Sequence, residues 1–391
     1  MKNAILVSSD PKWRVVVEAT LLSRGWQIAA VESLVAGDFP NGDDVQAILV
    51  DAMSIPPSVI GNWVSASDPR SKVPVVIVPS LASVHSFAEV LDPVRSSEPE
   101  QGPVSVCFWG VRGSIPSPGP STAFYGGNTS CVEVQADGET IILDAGSGIR
   151  SLGEKLIQNS GGKPLDMHLL ITHTHWDHIQ GLPFFRPAYV PTNHLRIVGY
   201  EAVRHGLTDV LGAQMDPAYF PISMADMPSH PEVEEVAECF SCGPVRVEAF
   251  FTNHPGRCAG FRLLTSRGVV VYISDNEINH DGQATHLPRE TTEHFRRRII
   301  ETIGGASLLI HDAQYTREEY KNRVGWGHSC VEDITELAAE AEVEHLMLFH
   351  HDPTRDDAGV NRVLSLARKI VRDRGWNLRV DAAREGMRLF L

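Results

Sequence analysis

Residues 1–92 read as short apolar runs set between helical or polar segments. Ala4–Ser8 is apolar, Trp13–Arg24 carries its apolar residues at helical spacing, and Gly25 ends that pattern. Gln27–Val31, Val45–Val50 (which runs into Asp51) and Val73–Val78 are further apolar runs of strand length. Strands alternating with helical segments predict a parallel sheet with helices on its faces. The stretch Asp92–Pro103 (DPVRSSEPEQGP) has almost nothing to bury and predicts a linker over residues 93–103. From Val104 to Leu391 the texture changes to many short apolar strands. These are Val104–Trp109, Ser130–Gln135, Thr140–Leu143, Leu169–Thr172, Leu195–Val198, Val245–Thr252, Val269–Ile273, Leu308–His311 and His345–His350. Helical patterns intervene at Thr291–Ile303 and Cys330–Ala341. The pattern predicts an α/β chain whose second domain has two sheets packed face to face with helices outside.

Composition narrows the partners. Acidic residues outnumber basic ones, 49 against 34, for a formal charge of −15. Phosphate backbones are gripped by dense Lys/Arg surfaces, so a nucleic-acid polymer is not the expected substrate. No run of about 18 apolar residues occurs, which sets aside a membrane-spanning helix. The apolar run at the N-terminus is too short for a signal-peptide core. Six cysteines are sparse for a secreted disulfide framework, and the lone pair Cys239/Cys242 reads as two structural thiols. A cytoplasmic protein is expected.

In the first domain, Asp10 follows the first strand and Asp51 ends the third. The arrangement resembles a response-regulator receiver domain, in which the third-strand aspartate accepts a phosphoryl group. That resemblance makes Asp51 a candidate phospho-acceptor. The sequence departs from the family, because Ser9 stands where a second acid is usual and the fifth strand and its lysine have no counterpart. The implied role is therefore a degenerate receiver-like (flavodoxin-like) domain used for packing or homodimer formation. A carboxylate that simply ends a buried strand accounts for Asp51 equally well.

The seventeen histidines are placed with more purpose. Leu169–Gly181 reads LLITHTHWDHIQG, an apolar strand running into His173, His175, Asp177 and His178. Alternation along an extended segment puts His173 and His175 on one side, where both imidazoles can reach one ion. Asp177 and His178 fall beside them after the turn. Imidazole and carboxylate suit zinc, with iron or manganese as alternatives.

This HxHxDH run resembles the signature of the metallo-β-lactamase-fold hydrolases, and the resemblance extends over roughly residues 104–391. It implies an αββα sandwich with two divalent metal ions. Asp144 in IILDAGSG matches the aspartate that supports the ligands from behind. His254 in FFTNHPGRCAGFR matches the third histidine of the first metal. Asp275 in VVYISDNE matches the bridging carboxylate, and His350 in LMLFHHDP the last histidine of the second metal, with His351 its rival in register. The implied first site is His173, His175 and His254. The second is Asp177, His178 and His350, and Asp275 lies between them.

Two such ions lower the pKa of a water held between them and polarise an electrophile, so metal-assisted hydrolysis is the expected reaction. LLIHDAQY and GWGHSC resemble the phosphodiesterase and ribonuclease Z-like branch. There His328 would protonate the leaving oxygen and Asp312 would orient it, an imidazole being suited to that task. Against this, Ser329 could be the N-cap of the following helix, with His328 merely its neighbour. The loop Phe108–Asn128, whose GSIP and YGGNTS recur in that branch, is expected near the site mouth. Its Arg112 and the amides of Gly126 and Gly127 could meet an anion. Residues 183–230 read as an insertion whose aromatics roof the pocket or fill a small core of their own. The expected activity is a phosphodiesterase acting on a small anionic phosphodiester such as a cyclic nucleotide. The alternatives are a hydrolase of a carbon-centred electrophile (lactone, thioester or isothiocyanate) and a receiver-type signalling module with a vestigial metal site.

Overall fold

Four strands near the N-terminus, β1 (Lys2–Val7), β2 (Trp26–Val31), β3 (Ala47–Asp51) and β4 (Val75–Val78), form a parallel sheet in the order β2-β1-β3-β4. The computed structural model of the protein describes the backbones of these strands, together with residues 104–200, 206–235, 238–278 and 292–391. Asp51 is the last residue of β3, in register with Val78. Its side chain, the helical segment Trp13–Arg24, Ser9 and Asp10 lie outside the described residues. The chain divides into two units, Met1–Pro99 and Glu100–Leu391.

In the second unit, two seven-stranded sheets face each other. The first contains β5 (Ser105–Gly110), β6 (Cys131–Ala136), β7 (Glu139–Leu143), β8 (Asp166–Ile171), β9 (His194–Gly199) and β10 (Glu232–Glu235) in sequence along the sheet. The second runs β11 (Cys239–Cys242), β12 (Val245–Phe251), β13 (Ala259–Thr265), β14 (Gly268–Ile273), β15 (Leu308–Asp312), β16 (His345–Phe349) and β17 (Arg379–Ala382). The last strand, β18 (Arg388–Phe390), returns to pair antiparallel with β5. Among the described residues, this unit also carries the α-helices α1 (Ile149–Ser160), α2 (Trp176–Ile179), α3 (Leu207–Ala213), α4 (Thr292–Ile303), α5 (Arg317–Tyr320), α6 (Val331–Glu340) and α7 (Asp357–Arg374).

Burial follows the period-two pattern of the strands. Val132, Val134, Ile141, Leu143, Val270, Tyr272, Ile310 and Phe349 meet in the layer between the sheets. The alternate residues Cys131, Ile142, Leu169 and Ile171 cover the outer face of the first sheet and pack on α1. Val271, Ile273, Leu309 and Leu348 do the same for the second sheet, under α4, α6 and α7. The result is an αββα sandwich. The chain follows β7 and β8 in parallel, and likewise β14, β15 and β16. Their carboxyl ends, with that of β12, carry Asp144, His173, His254, Asp275, Asp312 and His350. Among the described residues, no helix is long and apolar enough to cross a membrane.

Candidate metal centre

The extended segment after β8 turns into α2 at His175, so His173 and His175 precede the turn while Asp177 and His178 lie within it. His173 Nε2 comes within 2.9 Å of His175 Nδ1, and His254 Nε2 within 3.2 Å of the same atom. On the other side, His178 Nε2 and His350 Nε2 are 3.2 Å apart, and Asp177 Oδ2 lies 3.1 Å from His350 Nε2. His173, His175 and His254 thus make one group, and Asp177, His178 and His350 another, each with ligand atoms within 4.8 Å of one another. Asp275 joins His173 and His178 in a third group, and His254 and His328 in a fourth. It is therefore the residue common to both sides.

The chemistry of these groups fits divalent ions. Burial pushes the pKa of His254 down to about 4 and holds those of His173 and His175 below the ordinary histidine value. Neutral imidazoles present the lone pairs a metal needs. Burial alone would raise Asp177 and Asp275, but the neighbouring histidines outweigh it and keep both carboxyls well below the usual range. Asp275 Oδ2 is buried without a hydrogen-bond partner, although His178 Nε2 approaches to 3.1 Å. An oxygen left so exposed to charge and so poorly paired suits a cation.

Behind these candidate ligands sits a set of orienting contacts. Asp144 Oδ2 accepts from His178 Nδ1 at 2.8 Å and from the Tyr272 hydroxyl at 2.8 Å. Its Oδ1 accepts from the Thr172 amide at 2.8 Å. His254 Nδ1 donates to the Gly327 carbonyl at 2.9 Å, and the Gln314 amide lies 2.7 Å from His350 Nδ1. Such partners fix the ring and direct its other nitrogen inward. The second histidine, His351, turns away and bonds through Nε2 to the Ala383 carbonyl at 2.9 Å.

His328 Nδ1 stands 3.5 Å from Asp275 Oδ1 and 3.6 Å from Asp312 Oδ2, and it has no hydrogen bond of its own. Burial works against its protonated form, but Asp312 and Asp275 together raise its pKa. Asp312 is itself fixed by the amides of Asn276 and Ser329, at 3.2 and 2.8 Å. Ser329 is not the helix cap. Cys330 holds that position, and the Ser329 hydroxyl donates to the Asn276 carbonyl at 2.6 Å.

Other expectations are corrected or divided. Arg112 is wholly buried, its guanidinium donating to the carbonyls of Gly126 and Arg355 at 2.7 and 2.6 Å and lying 3.8 Å from the Asp357 carboxylate, so it braces the chain from within. The Gly126 amide is spent on the Thr122 carbonyl. The Phe108–Asn128 loop does reach the site, through the Ser114 amide that donates to Asp177 Oδ2 at 2.7 Å. In the insertion, Phe185 and Met215 fill the core over the first sheet, whereas Phe184 and Tyr219 are exposed. Cys239 is exposed and Cys242 buried on β11, as residues three apart on a strand must be, so the two thiols face apart.

Some functional positions escaped the sequence reading. Gln314 stands two residues after Asp312 on extended chain, and that spacing was its only signal. Gly113 and Gly327 carry no chemistry, yet a Cβ on Gly113 would lie 2.6 Å from His350 Cε1, and one on Gly327 2.3 Å from His254 Nδ1. Only glycine lets the backbone come so close to these two rings.

Residues 139–351 match the family model described as "Beta-lactamase superfamily domain". Among curated proteins, ribonuclease Z of Haloarcula marismortui is 21% identical over 294 residues, covering 67% of this chain and 90% of the relative. Ribonuclease Z of Metallosphaera sedula is 26% identical over 311 residues, with 68% and 94% covered. The crystal structure of unliganded yeast PDE1 is similar in fold, with a TM-score of 0.55 at 15% identity, covering 74% of this chain and all of that one. With the sandwich, the paired histidine–aspartate groups and the family match in agreement, the chain belongs to the beta-lactamase superfamily and is a metal-dependent hydrolase.

Proposed function

We propose that the protein is a phosphodiesterase whose substrate is a small anionic phosphodiester such as a cyclic nucleotide. Zinc is the metal proposed, held by His173, His175 and His254 on one side and Asp177, His178 and His350 on the other, with Asp275 between them. When bound, two divalent ions lower the pKa of a water and polarise the phosphoryl oxygens. The observation that carries the proposal is His328, an imidazole with a raised pKa 3.5 Å from Asp275 and 3.6 Å from Asp312. A ring whose protonated form is favoured by neighbouring carboxylates suits delivery of a proton to a departing alkoxide, and Asp312 would hold that ring in line. Trp176 and Trp326 are 78% and 60% exposed, directly beside His175 and Asp177 in one case and two residues before His328 in the other. Their faces suit stacking on a base or aryl group. The six thiols are unpaired, which agrees with a reducing compartment such as the cytoplasm.

Acidic composition speaks against a nucleic-acid polymer, but the curated relatives are ribonucleases by name. RNA is therefore the second reading. The carbon-centred alternatives share the metal groups but have less need of His328.

The test is turnover of bis-p-nitrophenyl phosphate, a lactone, a thioester, cyclic nucleotides and a transfer RNA by the zinc-loaded protein. Phosphodiester turnover lost in Asp177→Ala is expected. In His328→Ala, two metals should be retained and kcat should fall by about 100-fold or more for alkyl leaving groups, far less for nitrophenolate. Turnover confined to the lactone or thioester would overturn the phosphodiesterase reading, and loss of a metal in His328→Ala would make that residue a ligand.

A further inference from the structure

We infer that Glu277 is a positioning residue that sets His328 for proton delivery by clamping the glycine-rich segment before it. The inference rests on the reading of His328 as the acid. Glu277 is completely buried two residues beyond Asp275, at the end of the segment that follows β14. Its Oε2 accepts from the Gly327 amide at 2.9 Å, and its Oε1 from the Gly325 amide at 2.8 Å and from the Tyr320 hydroxyl. No carboxylate is needed there for packing, since burying one costs several kcal/mol unless its oxygens are satisfied. Here they are satisfied by the very backbone that leads to His328.

The Gly327 peptide is held at both ends. Its neighbour in the clamp is the Glu277 carboxylate at the amide, while its carbonyl accepts from His254 Nδ1 at 2.9 Å. The backbone of Glu277 is tied to the same region, for its amide donates to the Asn253 carbonyl at 2.8 Å and its carbonyl accepts from Asn253 Nδ2 at 2.8 Å. A single buried residue, through its backbone and its carboxylate together, thus links the end of β14, the segment after β12 and the turn carrying Trp326 and His328. Loops bearing catalytic groups need such support, because a misplacement of about 1 Å can cost 100-fold in rate.

The experiment compares Glu277→Gln, Tyr320→Phe, His328→Ala and the Glu277→Gln/His328→Ala double variant, each full-length and zinc-loaded. Glutamine keeps the shape but turns one acceptor into a donor facing a donor. Two readouts are taken: amide exchange of Gly325 and Gly327, and kcat/KM over methyl aryl phosphodiesters of graded leaving-group basicity. Faster exchange is expected in Glu277→Gln, with a loss of roughly 10- to 100-fold for the poorest leaving group and under about 3-fold for the best. In the double variant no loss beyond that of His328→Ala is expected. Tyr320→Phe removes one donor only, and should move both readouts the same way by less. It also keeps the inference testable should Glu277→Gln fail to fold. Unchanged exchange overturns the inference whatever His328 does. Faster exchange with a leaving-group effect in His328→Ala but none in Glu277→Gln overturns the inference alone. Faster exchange with no such effect in either overturns the acid reading, and the inference falls with it.

Discussion

Asp144 and His350 share a backbone strain that ordinary residues avoid, with φ of 62° and 52° at the ends of β7 and β16. Left-handed conformations cost a non-glycine residue roughly 1–2 kcal/mol, and they persist only where surrounding contacts over-determine them. Thr172, His178 and Tyr272 supply those contacts at Asp144, and Gln314 and Asp177 do so at His350. The kink after β16 sends His350 toward His178 and Asp177 and leaves His351 buried on the opposite side, edge-on to Tyr125. That second ring makes a pH prediction. Burial pushes its pKa down to about 3, below the value of roughly 6.5 expected in the unfolded chain. Between those limits the unfolded state binds the extra proton. The stabilisation is therefore complete above about pH 6.5 and is lost as pH falls toward 3. One such ring accounts for about 2 kcal/mol between pH 6.5 and pH 5. Urea unfolding of His351→Gln should show a correspondingly shallower decline over that range, and an identical slope would mean that His351 titrates normally when folded.

At the scale of the element, strand ends and the loops behind them make the site, and the loops are the less legible part. The HxHxDH run was visible because an apolar strand announces its direction and alternation fixes which histidines share a side. Asp144, Asp275 and His350 could be read in the same way, each closing an apolar run. What supports them was not visible, since Gly113, Gln314 and Glu277 act through long-range proximity. Arg112 looked like an anion hook for the same reason, its partners being the carbonyls of Gly126 and Arg355 and the carboxylate of Asp357. The strand β13 was missed because Gly260 and Arg262 interrupt its apolar pattern, although β12 and β14 pair with it on both sides. Gly113 gives this scale its prediction. In Gly113→Ala the new methyl must displace His350 or Gln314, whose nearest atoms would lie 2.6 and 2.4 Å from it. Disturbing the orienting shell of a ligand costs about 10- to 100-fold in metal affinity. Chelator competition should show that loss at one of two sites, with the circular dichroism spectrum unchanged. Undiminished affinity at both would show that the loop yields instead of the ring.

At the scale of the molecule, the proposed ligands come from both halves of the sandwich. His173, His175, Asp177 and His178 follow β8 in the first sheet, whereas His254, Asp275 and His350 follow β12, β14 and β16 in the second. Two ions in these groups would tie the two sheets together at one rim, beyond the apolar layer that already joins them. Without the ions, that rim gathers Asp144, Asp177, Asp275 and Asp312, all buried, against histidines of which several are held neutral. Metal that binds the folded state and not the unfolded one stabilises by about 2.7 kcal/mol at a hundredfold excess over its dissociation constant. For a unit of this size that corresponds to a shift of roughly 5–10 °C. Calorimetry before and after removal of metal with a chelator should therefore lower the transition of the Glu100–Leu391 unit by that order, with readdition of zinc restoring it. Asp177→Ala, which spares His173, His175 and His254, should lose only part of the shift. A transition indifferent to chelator, in protein shown to have released both ions, would mean that the sheets are held by their apolar layer alone and that the metals serve chemistry without serving the fold.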